Sequence, residues 1–293
     1  MNTSSPVTLI TGASSGIGRV TALELARAGH RVVLAGRSAS KHQPVLDEIA
    51  ALPASPQALW LELDLGDLTS VAACAQAFLD LGWPLHTLIL NAGLAGQRGR
   101  SASGFEMAFG VNHLGHFALA QALLPCLQAS APARVITVAS KMHFRANGLD
   151  WEALQRPTAS LTGVPEYNVS KLANVLFATE LARRLAGSGV ESYVVHPGIV
   201  ATEVWRHVPA LVRPLLRLMW GMITPQEGAR STLKCATAPS AELQHGGYYD
   251  RERLKPPSAV AQDLALAQAL WARSTAWCTG AQIGQAGGSG AAL

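Results

Sequence analysis

Short apolar runs alternate with longer stretches of mixed apolar and polar residues along most of this chain. VTLIT (7–11), RVVLAG (31–36), ALWLEL (58–63), HTLIL (86–90), RVITV (134–138) and ESYVV (191–195) are dominated by aliphatic and β-branched side chains. Being apolar on both faces, they predict strands of a parallel sheet covered on each side by helices. Helical periodicity fills the intervals at about 16–28, closed by Gly29, and near 69–80, 105–129, 166–187 and 226–236. Such alternation predicts an α/β protein: a single domain over 1–279, with a doubly wound parallel sheet and helices on both faces. The Gly/Ala-rich stretch 280–293 reads as a mobile tail.

Composition narrows the function classes. Hydrophobic residues make up 49% of the 293 positions and charged ones 14%, which excludes a disordered chain. The net charge of +4 is spread along the chain without a run of Lys or Arg, so a nucleic-acid partner is not expected. Four cysteines without a C-x-x-C pair form no disulfide framework and no metal motif. MNTSSP has no basic region leading into an apolar stretch, and no apolar run reaches bilayer length. The expected location is the cytoplasm.

The first strand runs into TGASSGIG (11–18). Gly12, Gly16 and Gly18 allow a tight turn, close backbone approach to a pyrophosphate and close packing of the following helix. The start of that helix then offers free N–H groups and a positive dipole end to the phosphate. The second strand ends in Gly36-Arg37 rather than a carboxylate. An acidic residue there would hold the ribose hydroxyl of NAD, whereas a guanidinium suits the 2′-phosphate of NADP(H), the expected cofactor. Farther on, Tyr167 and Lys171 stand four apart on a helical segment and share a face. An ammonium close to a phenol favours the phenolate and brings its pKa toward the neutral range needed for acid–base work.

With NAG at 91–93, Ser140 after a strand and HPG at 196–198, these motifs stand in the order of the short-chain dehydrogenase/reductase family, which the chain resembles over about 7–250. FGVNHLGHF (109–117), YNVSKLANVLF (167–177) and the long Ser140-to-Tyr167 interval are similar to the subgroup of retinol dehydrogenases and NADPH-dependent carbonyl reductases. The resemblance implies a Rossmann-type fold and hydride transfer between NADP(H) and a carbonyl/alcohol pair. It implies Tyr167 as proton donor, Lys171 as its partner and holder of the ribose, Ser140 on the substrate oxygen, and Asn112 as anchor of a water leading to Lys171. The implied cofactor contacts are Ser14, Ser15 and Ile17 in the glycine turn, Asp64 and Leu65, Asn91, Ala92 and Gly93, and Pro197, Gly198, Val200 and Thr202. A homo-oligomer is also implied.

Two departures stand out. VAS (138–140) replaces a paired Ser-Ser, and Ser15 occupies a place where some NADP-preferring members carry a basic residue, which leaves the phosphate mainly to Arg37. His113 and His116 lack further ligands nearby and read as buried helix residues rather than metal ligands. The stretch at about 202–225 reads as a substrate lid. Its Arg206, Arg213 and Arg217 fall within about 40° on a helical wheel, opposite an apolar side, while Pro209 and Pro214 interrupt the helix. The apolar side predicts a lipophilic aldehyde or ketone, and the segment 204–220 is a candidate for peripheral membrane contact. Two other readings stay open: a ketoreductase of secondary metabolism acting on bulky ketones, and an NADPH-binding regulatory or scaffold protein.

Overall fold

The computed structural model describes residues 5–53, 57–198 and 223–286. β1 (Val7–Thr11), β2 (Arg31–Gly36), β3 (Ala58–Glu62), β4 (Thr87–Leu90), β5 (Ala133–Val138) and β6 (Val190–His196) lie where the apolar runs predict strands. Two more, β7 (Tyr248–Asp250) and β8 (Arg253–Lys255), were not anticipated. Three residues carry no readable period. β7 is a strand because its backbone pairs with β6, with Val194 opposite Tyr248. The sheet order is β3-β2-β1-β4-β5-β6-β7-β8, parallel throughout except for the antiparallel edge strand β8.

The helices are α1 (Gly16–Arg27), α2 (Ala39–Ala50), α3 (Leu68–Asp80), α4 (Met107–Phe109), α5 (Gly115–Ala129), α6 (Val164–Arg184), α7 (Pro225–Thr237) and α8 (Leu264–Ala286). The single helix expected over 105–129 is divided. A π-helical turn, Gly110–Leu114, separates α4 from α5, and Gly115 N–H reaches back to Gly110 O. Pro44 disguises α2, whose buried side is His42, Val45 and Ile49. The tail expected from 280 also begins too early, because α8 continues to Ala286. Alanine and glutamine extend a formed helix at little cost once its nucleus is anchored by packing.

Side chains alternate across each strand, so the sheet builds a core on both faces. Leu9 joins Phe78, Phe117 and Leu176 on one face, while Ile10 joins Leu25, Ile49 and Tyr193 on the other. Each such burial contributes about 1.5–3 kcal/mol. α8 closes the first face: Trp271 stacks on Phe177 at 5.9 Å and 16°, meets Phe117 edge-on at 5.1 Å, and lies 4.4 Å beneath the Arg184 guanidinium. Strand order reverses between β1 and β4, and in open α/β sheets the crevice outside the strand ends at that reversal is where ligands bind. Among the described residues, no helix is long and apolar enough to cross a membrane, and Cys74, Cys126, Cys235 and Cys278 are free thiols.

Candidate active site

β1 ends at Thr11, and the chain turns through Gly12 (φ +68°) into α1. The turn is packed backbone against backbone. A Cβ on Gly18 would stand 2.4 Å from Gly12 O and 2.5 Å from Asn91 Nδ2. Asn91 Nδ2 donates to Thr11 O (2.9 Å) and Gly12 O (3.2 Å), clamping the loop after β4 to the glycine turn. Ser15 is the N-cap of α1, yet its side chain makes no capping bond, and the first turn contains no acidic residue. Helix-start N–H groups left open beside a positive dipole end, next to Ser14, Gly16 and Ile17, fit a pyrophosphate.

The adenosine side is shaped by small residues as well. A Cβ on Gly36 would lie 2.6 Å from the His42 ring, so α2 packs directly on the end of β2. Arg37 follows, exposed and without an ion-pair partner among the described residues. Asp64 Oδ1 accepts Gly66 N–H (2.9 Å), holding the turn that contains Leu65. Gly115 permits α5 to start against this turn, since a Cβ there would be 2.2 Å from Leu65 O.

The chemical groups converge from β5, the π-turn and α6. Tyr167 and Lys171 lie one turn apart on α6, with Lys171 Nζ 5.7 Å from the Tyr167 ring centroid. Lys171 is buried, and its ammonium donates to Val138 O (3.0 Å). Burial lowers its pKa to about 8. Burial also pushes the Tyr167 phenol above its ordinary value, while a hydrogen bond with the Ser140 side chain pulls it down. The expected lowering by Lys171 is therefore not what governs this phenol, because the ammonium is aimed at a carbonyl and desolvation outweighs it. Ser140 Oγ accepts Met142 N–H (3.2 Å), which fixes the serine at the start of a short 3-10 turn.

Asn112 sits in the π-turn with its side chain fully used: Oδ1 accepts Leu94 N–H (2.8 Å), and Nδ2 donates to Leu94 O and Ser170 Oγ (both 2.9 Å). Its backbone carbonyl is the group that remains to meet other partners, and His116 is one of them. A Cβ on Gly93 would lie 3.4 Å from Asn112 Oδ1 and 3.5 Å from Lys171 Nζ, so all three meet at the loop containing Ala92 and Gly93. Pro197 and Gly198 follow β6, with Gly198 at φ +103°. Val200, Thr202, the membrane-contact candidate 204–220 and the expected lid as far as residue 222 lie outside the described residues; its last residues are described, with Thr224 capping α7 from Pro225.

Two histidines stand behind the reacting groups, and only one of them, His116, is singled out by the sequence. His143 Nδ1–H donates to Ser140 O (2.7 Å), and its Nε2 accepts Ser258 N–H (3.1 Å), tying the serine segment to the C-terminal loop. His116 Nδ1–H donates to Asn112 O (3.0 Å), and Nε2 meets Thr11 Oγ1 at 2.9 Å. His113 bonds Ser274 of α8 at 3.1 Å. All three are buried, with pKa values lowered chiefly by desolvation. His113 and His116 are packed histidines, as expected, His143 joins them, and the described residues hold no group of potential metal ligands. The sequence signal was spacing alone, since His143 lies three residues after Ser140 and His116 four after Asn112.

A profile described as short chain dehydrogenase matches residues 6–151. Human dehydrogenase/reductase SDR family member 13 is 43% identical over 270 residues, covering 91% of this chain and 71% of the relative. Human retinol dehydrogenase 11 is 42% identical over 271 residues, covering 90% and 83%. Among solved structures, a protein from Mycobacterium paratuberculosis superposes with a TM-score of 0.73 at 34% identity, covering 94% of this chain and 93% of that one. The NADP active-site complex of Pseudomonas aeruginosa RhlG gives 0.65 at 26% identity, covering 85% and 95%.

Proposed function

The chain belongs to the short-chain dehydrogenase/reductase family, and on that premise we propose that it is an NADP(H)-dependent oxidoreductase reducing a lipophilic, retinal-like aldehyde or ketone. The observation that carries this reading is the meeting of Ser140, Tyr167 and Lys171 beside a helix start whose N–H groups no side chain caps. Retinol dehydrogenase relatives support the lipophilic substrate class. For the cofactor, the support is Arg37 directly after Gly36, where the end of β2 itself carries no carboxylate.

The turn Ser14–Gly18 would hold the pyrophosphate on the open N–H groups of α1, Arg37 the 2′-phosphate in bidentate fashion, and Lys171 the nicotinamide ribose hydroxyls. The reduced nicotinamide, once bound, supplies the hydride. Ser140 Oγ is fixed by Met142 N–H, and its O–H, which meets the Tyr167 phenol, would turn to the substrate oxygen and steady the charge developing there. Tyr167 delivers its proton to the same oxygen. A phenol held above its ordinary pKa keeps that proton until the substrate oxygen becomes basic enough to take it. Lys171, with one N–H spent on Val138 O, has two left for the phenol and the ribose.

Initial rates of NADPH and NADH oxidation across lipophilic aldehydes and bulky ketones, with Tyr167→Phe as the blank, test this reading. The expected result is NADPH-selective turnover that falls about 10²–10⁴-fold in the blank, while NADPH binding persists. Tight NADPH binding without turnover on any carbonyl would overturn the enzymatic reading. Equal use of NADH would overturn the role of Arg37.

A further inference from the structure

Thr11 and Asn112 lie on opposite sides of the site. Thr11 ends β1 and supports the cofactor turn, whereas Asn112 lies beside Lys171 in the π-turn. The imidazole of His116, 1% exposed, spans them at 2.9 Å to Thr11 Oγ1 and 3.0 Å to Asn112 O. Donor and acceptor accounting settles the protons along this chain. A carbonyl only accepts, so Nδ1 of His116 carries the hydrogen. Burial, with the Lys171 charge adding to it, lowers the ring's pKa to about 4. The ring is therefore neutral, and Nε2 has a lone pair that takes the Thr11 hydroxyl proton. The lone pairs of Thr11 Oγ1 are then left for Asn91 N–H and Ala92 N–H, both at 2.9 Å. The Thr11 hydroxyl has one other acceptor in reach, Ile89 O at 3.5 Å, which is longer than its bond to the ring.

We infer that His116 is a positioning residue: it holds the Asn112 carbonyl in register with the Thr11–Asn91 cradle, coupling the seating of the cofactor to proton supply at Lys171. The inference rests on the reading above, in which Tyr167 delivers its proton to the substrate oxygen with Lys171 behind it, and it adds that the proton is replaced through Lys171. Three features support a role beyond filling space. The side chain of Asn112 is consumed by Leu94 and Ser170, so its carbonyl is the group left to hold a water, and His116 holds that carbonyl. The π-turn moves backbone pairing by one residue at this place, so the carbonyl's position depends on a side chain as well as on the helix ladder. The other ring nitrogen is bound to the strand end that shapes the cofactor turn, 105 residues away in sequence.

The test uses the full chain with three variants. The Asn side-chain N–H can reproduce the Nδ1 donor toward Asn112 O, Gln can reproduce the Nε2 end toward Thr11, and Phe supplies neither. His116→Phe is expected to lower kcat about 10–100-fold. It is also expected to change the NADPH Kd less than threefold and to enlarge the solvent deuterium isotope effect on kcat, because proton delivery has become slower. His116→Asn is expected to restore most of kcat, and His116→Gln little of it. An unchanged kcat in folded His116→Phe overturns the inference. So does a loss that follows the folded fraction with the isotope effect unaltered, since a merely structural residue behaves in that way.

A second measurement needs no substrate. Ring-15N histidine spectra of the wild type, assigned by loss of a signal in His116→Gln, are expected to show His116 neutral and protonated on Nδ1 at pH 7. An Nε2–H tautomer or an imidazolium overturns the inference whatever the kinetics. Absence of turnover by the wild type on every carbonyl would count against the proposed function, and the spectra would still decide the state of His116.

Discussion

α1 and α7 begin in opposite ways. At α7, Thr224 Oγ1 accepts Glu227 N–H (3.2 Å) while Glu227 Oε2 accepts Thr224 N–H (2.8 Å), and Pro225 removes a donor that would need a partner. α2 and α3 are capped as well, by Ser38 and Asp67. At α1 the N-cap is again a serine, yet Ser15 leaves the N–H groups open. A missing cap costs about 1 kcal/mol. A helix that forgoes that stability at the strand-order reversal of the sheet is preorganised for an anion. The difference shows that a helix start has to be judged by what its cap does, not by the residue type at that position.

The largest effect on this contrast comes from closing the turn itself. Gly18→Ala places a Cβ 2.4 Å from Gly12 O and 2.5 Å from Asn91 Nδ2, where the Gly12 backbone and an Asn91 amide already bonded to Thr11 and Gly12 leave little room for relief. It is expected to abolish measurable NADPH binding by fluorescence titration and to lower stability to urea by about 3 kcal/mol. A next, smaller effect concerns Lys171, another group held at a cost to the fold. Its folded pKa, about 8, lies below the value an exposed lysine has, so the unfolded chain binds more protons across that interval. Stability is therefore expected to rise as pH increases above about 8. Over the same range, kcat for reduction is expected to fall as the ammonium is lost. Unfolding midpoints and a pH–rate profile measured together would expose any failure of that opposition.

The smallest effects convert one helix start into the other. Ser15→Asp supplies a capping carboxylate to α1 and is expected to raise stability by up to about 1 kcal/mol while weakening NADPH roughly tenfold by repelling the pyrophosphate. Thr224→Ala is expected to lower stability by about 1 kcal/mol with an unchanged NADPH Kd. Should both variants affect binding alike, the distinction between the two helix starts would collapse.

Much of the fold was legible along the chain. Strands β1 to β6 announce themselves as apolar runs, and the glycine turn, Arg37 and the Tyr167–Lys171 pair stand out as candidates by type and spacing. These are local properties, because strand period, helix face and turn geometry depend on residues within a few positions of one another.

Other features were decided only when distant segments met. β7 exists through pairing with β6, and the π-turn shares its carbonyl at Asn112 with a side chain. The tyrosine's pKa followed burial rather than its nearest lysine. By itself the sequence determined the α/β alternation, and it put forward the glycine turn and the Tyr167–Lys171 pair as the candidate site. Tertiary structure decided which histidines stand behind them, since Thr11 and His116 are 105 residues apart and His143 and Ser258 are 115 apart. A hydrogen bond of that span leaves no periodic trace, and only the packing of helices on the sheet brings its two ends within 3.1 Å.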